Sequence, residues 1–112
     1  MAEPAVEDET AECIDDCLAC YELCLSAAMT RCLELGGEHL RPDHFRMMMA
    51  CAEICRTAAH FMLINTEFRD RVCGVCADIC EACADACDAL EGMEDCAAAC
   101  RRCADSCGAM AA

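Results

Sequence analysis

Small sulfur-bearing residues recur along this chain at a helical period, with charged residues filling the gaps. Cys13, Cys17, Cys20 and Cys24, with Cys32 further on, form a first group; Cys51 and Cys55 a second. Cys73, Cys76, Cys80, Cys83 and Cys87 form a third, and Cys96, Cys100, Cys103 and Cys107 a fourth. Cys32 aside, steps of three and four residues alternate within the groups, which is the heptad period and keeps side chains on one narrow seam of an α-helix. A second apolar stripe runs one residue along: Ile14, Leu18, Tyr21 and Leu25 in the first helix, and Val72, Val75, Ile79, Ala82 and Ala86 in the third. It can fill the spaces between helices or serve an oligomer contact. The Asp and Glu residues are spread over the helices as a solvated face.

Breaks between the groups predict four helices at about 10–35, 42–64, 66–91 and 93–108, within a bundle spanning 10–110 that follows a flexible acidic stretch, 1–9. Thr10 or a neighbouring acidic residue can cap the first helix, which should run to Gly36-Gly37. Pro42 suits the first position of the second, and Asn65-Thr66 with Glu67 reads as a stop followed by a new cap. Gly92 and Gly108 end the third and fourth, while Gly74 weakens the third by about 1 kcal/mol. Short connections make successive helices antiparallel, so the fold expected is all-α, an up-down-up-down four-helix bundle with a cysteine-lined core.

Composition narrows the function. With 22 acidic against 8 basic residues the net charge is -14, which disfavours nucleic acid and anionic lipid as partners. No uninterrupted apolar run is long enough to span a membrane. The beginning, MAEPAVEDETAE, lacks a basic region followed by an apolar one, so the chain is expected to be cytoplasmic, where thiols stay reduced. Sixteen cysteines in 112 residues then point to metal rather than disulfides. Parallel side chains three or four apart on one helix cannot reach disulfide geometry, although cross-helix pairs remain open. Cys can also act as a small hydrophobe, but Leu or Ile fills a core better.

From Cys73 to Cys87 the helical rise gives a sulfur column of roughly 21 Å. Tetrahedral zinc on four thiolates carries a net charge of about -2, so filling the column with zinc would bury several dianions. Cu(I) is soft, takes few ligands and accepts bridging sulfurs, so it can approach one ion per thiolate, each replacing one proton. The reading is therefore a store of multiple Cu(I) ions. The competing readings are a zinc or cadmium thiolate buffer, at about one ion per four thiols, and an iron-sulfur electron carrier, whose ferredoxin-type cysteine run is absent. No nucleophile with a base and orienter, phosphate loop or dinucleotide motif marks an enzyme. An unperturbed thiol is largely uncharged at neutral pH, so the empty bundle should already be helical.

CGVCADICEACADAC and CAAACRRCADSC with the tail GAMAA, together with CIDDCLACYELC and CAEIC, resemble the cytosolic copper storage proteins over nearly the whole chain after about residue 10. The resemblance implies a four-helix bundle that holds many Cu(I) ions on its seam cysteines, assembles as a homotetramer and stores rather than catalyses. It specifies no copper donor or acceptor. Two positions depart from the family pattern: Met93 stands where a further Cys often precedes the fourth group, and His44 where the second seam often begins with Cys. The His-rich segment of some members is reduced here to ALEGMED.

Antiparallel helices gather Cys32, His44, Met48, Cys87, Met93 and Cys96 at one end. Thioether and imidazole bind Cu(I) more weakly than thiolate and suit loading and release, so this end is read as the mouth, with His44, Met48 and Met93 as candidate ligands beside the sixteen thiols. For Met48 and Met93 core filling is the competing role. Met62 and Met110 read as filler, Met47 and Met49 as packing or surface, and His39 and His60 as solvent-facing. Phe61, Leu63 and Phe68 should plug the opposite end.

Overall fold

The computed structural model describes residues 7–112. Of the acidic stretch expected before the bundle, residues 1–6 lie outside the described part, and Asp8 and Glu9 are already helical. The long helices are α1 (Asp8–Ala27), α2 (Pro42–Leu63), α3 (Arg69–Asp88) and α4 (Glu94–Ala111), with no strand among the described residues. Every one opens on acidic residues: Asp8 and Glu9, Asp43, Asp70, and Glu94 with Asp95. Negative charge there offsets the positive end of the helix dipole, and no side-chain cap bond is made at any of the four. Thr10, expected to be a cap, lies inside the first turn of α1, buried, with its hydroxyl 3.9 Å from the Met110 sulfur.

Helix ends follow the punctuation of the chain with shifts of a few residues. Gly36 (φ 64°) turns the chain out of the first helical run, and Pro42 starts α2. Asn65 takes the left-handed conformation after α2, but Thr66 begins a turn rather than a helix, and α3 starts at Arg69. α3 stops at Asp88, short of Gly92, and α4 runs through Gly108 to Ala111, because glycine in a helix costs only about 1 kcal/mol and is outweighed by packing.

Each helix packs on its chain neighbours, and α4 closes against α1. The seams meet in antiparallel register: Cys13 with Cys107, Cys20 with Cys100 and Cys24 with Cys96 between α1 and α4, and Cys51 with Cys80 and Cys55 with Cys76 between α2 and α3. All sixteen cysteines face inward; none is more than 3 % exposed. Beside them the buried positions are mostly alanine, including Ala28, Ala52, Ala58, Ala84 and Ala99, so the helices approach closely and the molecule measures 53 × 26 × 17 Å. The second apolar stripe divides. Ile14 is buried and Tyr21, Leu25, Val72 and Ile79 pack on the core, but Leu18 and Val75 are 36 % and 50 % exposed.

Cys32 reaches the core through a change of helix type. Eight α-helical residues after Cys24 it would stand roughly 80° off the seam. The segment Ala28–Cys32 is instead a π-helical turn, followed by a last α-helical turn, Leu33–Leu35. The wider turn absorbs one residue, so the advance matches that of seven α-helical residues and Cys32 returns to the seam, fully buried.

Deleting Thr30, which is exposed, should therefore convert the π turn to regular helix and leave Cys32 as protected from a thiol reagent as before. A Cys32 that becomes rapidly labelled would refute this account of the register. At Gly74 an added Cβ would lie 3.5 Å from the Ala111 Cβ, an ordinary contact, so Gly74→Ala should raise stability by about 0.5–1 kcal/mol in denaturant unfolding.

Candidate metal centre

Apart from Cys32 and Cys83, the cysteine sulfurs form one connected column. At the end away from the first connection, the Cys13, Cys73 and Cys107 sulfurs lie within 4.8 Å of one another. From Cys107 the path runs to Cys17 at 3.4 Å, then through Cys103 to Cys55 at 3.7 Å and Cys80 at 3.4 Å. It continues to Cys51 and Cys100, and from Cys100 to Cys24 at 3.5 Å and Cys96 at 3.0 Å from Cys24. Cys87 is 3.9 Å from Cys96. Every cysteine is a free thiol, so the cross-helix disulfides left open by the sequence are not formed. Four thiols gather within 4.8 Å in three places: Cys17, Cys76, Cys103 and Cys107; Cys20, Cys24, Cys51 and Cys100; and Cys20, Cys55, Cys80 and Cys103.

The other end of the column changes chemistry. The Met48 sulfur accepts from the thiols of Cys83 at 3.8 Å and Cys87 at 3.5 Å, and His44 Nε2 lies 3.8 Å from the Cys32 sulfur. His44, Met48 and Met93 are all buried, so the candidate ligands of this end are where the heptad places them. Met93 sits at the start of α4 and lines a surface cleft with Arg31, Gly92 and Cys96. Burial holds the Cys32 thiol above its ordinary value. Burial, and secondarily His39, pushes the His44 imidazole below its own, which favours the neutral form, and its buried Nδ1 has no partner. A neutral imidazole next to a thiol offers a borderline nitrogen donor beside a sulfur that becomes a soft ligand on losing its proton to an incoming ion.

Three expectations change. His39 does not face solvent: it is buried, and Nε2 lies 2.8 Å from the Glu91 carbonyl oxygen. Gly36 and Gly37 fold the connection back, placing a 3-10 turn, Gly37–Leu40, against the α3–α4 loop. Arg31 donates to the neighbouring Gly92 carbonyl, so two side chains from the first connection grip the loop just before Met93. The mouth is therefore strapped across, and a second surface groove on its side is lined by Glu38, Arg41, Asp43, His44 and Met47. The plug also differs. Leu63 and Phe68 are 58 % and 48 % exposed, because they fall outside the seam; the guanidinium of Arg71 lies 5.9 Å from the Phe68 ring centre. Met62, one heptad after Cys55, fills that end instead, together with Thr10. No periodicity signals His39 or Arg31; the paired glycines at 36 and 37 were the one available hint.

A family profile described as Copper storage protein matches residues 6–112. The chain is 36% identical over 74 residues to the uncharacterized cysteine-rich protein YhjQ of Bacillus subtilis (strain 168), covering 66% of this chain and 68% of that protein. Among solved structures, it is similar to the Nmul_A1745 protein from Nitrosospira multiformis, with a TM-score of 0.91 and 53% identity over 92% of this chain and 94% of that one. It is also similar to the Cu(I)-bound copper storage protein BsCsp3, with a TM-score of 0.85 and 36% identity over 94% of this chain and 100% of that one.

The depressed His44 value has a measurable consequence. Just below about 6.5 the unfolded chain takes up a proton that folded His44 refuses, so stability falls as pH drops through that window. Thermal melts of the metal-free protein should show this fall, and His44→Gln should make it shallower; an identical slope in the variant would contradict a neutral buried imidazole.

Proposed function

Because the chain belongs to the copper storage protein family, we propose that its thiol column fills to about one Cu(I) per core thiolate and is loaded through the end that holds His44, Met48 and Met93. The protein is a store of copper, holding multiple Cu(I) ions on its clustered cysteines. The observation that carries the reading is the unbroken contact of inward thiols along four helices. A monovalent ion that replaces one proton leaves the charge of the cavity unchanged, whereas each isolated tetrathiolate zinc adds a charge of about -2 to an acidic chain. Adjacent sulfurs at 3.4–3.8 Å suit bridging, so one thiolate can serve two ions.

The proposed ligands are all sixteen cysteines with His44, Met48 and Met93. Weaker imidazole and thioether donors at the mouth let an incoming ion shed its carrier and pass inward to thiolate, a downhill exchange at each step. Storage of this kind is ligand exchange and needs no catalysis. Reduced thiols persist in a reducing compartment, which supports a cytoplasmic location; no helix of the described residues is long and apolar enough to cross a membrane. A homotetramer is supported by apolar residues left on the outside, Leu18, Leu23 and Val75 among them, since a contact between copies would cover them.

Anaerobic titration of the reduced protein with Cu(I) against a chromophoric chelator should reach about sixteen equivalents; saturation near four would return the reading to a divalent buffer. Replacing His44 and Met48 together by Ala should slow loading several-fold while leaving most of the capacity. Loading at the wild-type rate would move the mouth elsewhere.

A further inference from the structure

The column contains four-thiol cages whose edges also suit a tetrahedral divalent ion. A tetrahedral divalent ion bound to sulfur at about 2.3 Å needs sulfur–sulfur edges of about 3.8 Å. In the set Cys20, Cys24, Cys51 and Cys100, four of the six edges fall within 0.1 Å of that length: Cys20 to Cys24 and to Cys51 at 3.8 Å, Cys20 to Cys100 at 3.7 Å and Cys51 to Cys100 at 3.8 Å; Cys24 to Cys100 is shorter, at 3.5 Å. The set Cys17, Cys76, Cys103 and Cys107 has edges of 3.4, 3.6, 3.8 and 3.9 Å. These two sets share no residue. Between them lies Cys20, Cys55, Cys80 and Cys103, which takes one sulfur from each and adds Cys55 and Cys80, 3.4 Å apart.

We propose that the copper-free bundle binds a second class of cargo, thiophilic divalent cations of the Zn(II) and Cd(II) type, as three ions on these ten thiolates with Cys20 and Cys103 as bridges. Charge sets the number. Two separate tetrathiolate ions each carry a net charge of roughly -2, and the third ion brings its two positive charges to only two new thiolates, so it adds none. The column then holds about -4 however the third ion is counted. A fourth ion has no comparable cage: Cys13 and Cys73 join only Cys107, already used, while Cys32, Cys83, Cys87 and Cys96 belong to no such set. Cu(I) taking the same thiolates one by one removes this excess charge, so it displaces the divalent ions. The inference goes beyond copper storage and does not depend on it.

The test is titration of the full-length, reduced, metal-free protein with Cd(II), read by the ultraviolet thiolate-to-cadmium band and by cadmium NMR. The band should saturate at three equivalents, with three resonances. Cys51→Ser should remove one ion, Cys20→Ser should disturb two, and Cys32→Ser and Cys87→Ser should leave three; circular dichroism checks that each variant is folded. Saturation at four equivalents or at fewer than three, equal losses in C51S and C20S, or a loss in C32S would overturn the proposal. The wild-type count decides even where a variant fails to fold. Titration of the same preparation with Cu(I) reports on the copper reading separately, so either can fail alone.

Discussion

A buried thiol can exchange its proton for a monovalent ion without changing the charge around it, and the rest of the molecule depends on that exchange. Leucine would fill the bundle better, and carboxylates would bind ions at the cost of burying charge in the empty state. Thiols meet both demands. They pack as small, weakly polar groups when protonated, and they become strong soft ligands when metal arrives. The heptad spacing then does the architectural work, since it points all four seams at one axis and turns separate side chains into a sulfur path that Met48 extends to Cys83 and His44 to Cys32.

Most of this was legible in the residue order because one rule, alternation of three and four, governs both secondary structure and ligand placement. The antiparallel bundle, inward thiols, Pro42 start and turn at Gly36 follow from it and from ordinary helix punctuation. What escaped is what that rule does not reach. Cys32 breaks the alternation, and its inward position needs a π turn that no local residue preference announces. His39 is buried by tertiary contact with Glu91, a partner more than fifty positions away. Phe68 and Leu63 are large and apolar, yet they lie off the seam, and register outweighed hydrophobicity in deciding which side chain closes that end.

The two ends of the column are chemically unequal. One is shut by Met62 and Thr10 over a triad of thiols, with no buried imidazole beside them among the described residues. The other grades from thiol to thioether and neutral imidazole, and its rim is pinned by Arg31 and His39 to consecutive carbonyls, those of Gly92 and Glu91. Because these carbonyls sit immediately before Met93, motion of the first connection is coupled to the start of α4 and to the cleft where Met93 and Cys96 approach the surface.

The alanine-rich layer beside the sulfurs has a cost in design latitude. With so few bulky residues anywhere else inside, the chain possesses no interior apart from its hold. Robustness and carrying capacity are consequently drawn from the same side chains: a cysteine exchanged for a larger aliphatic would overfill its packed position and remove a ligand as well. A lineage of such proteins can gain tonnage only by lengthening its helices, heptad by heptad, and never by thickening its walls.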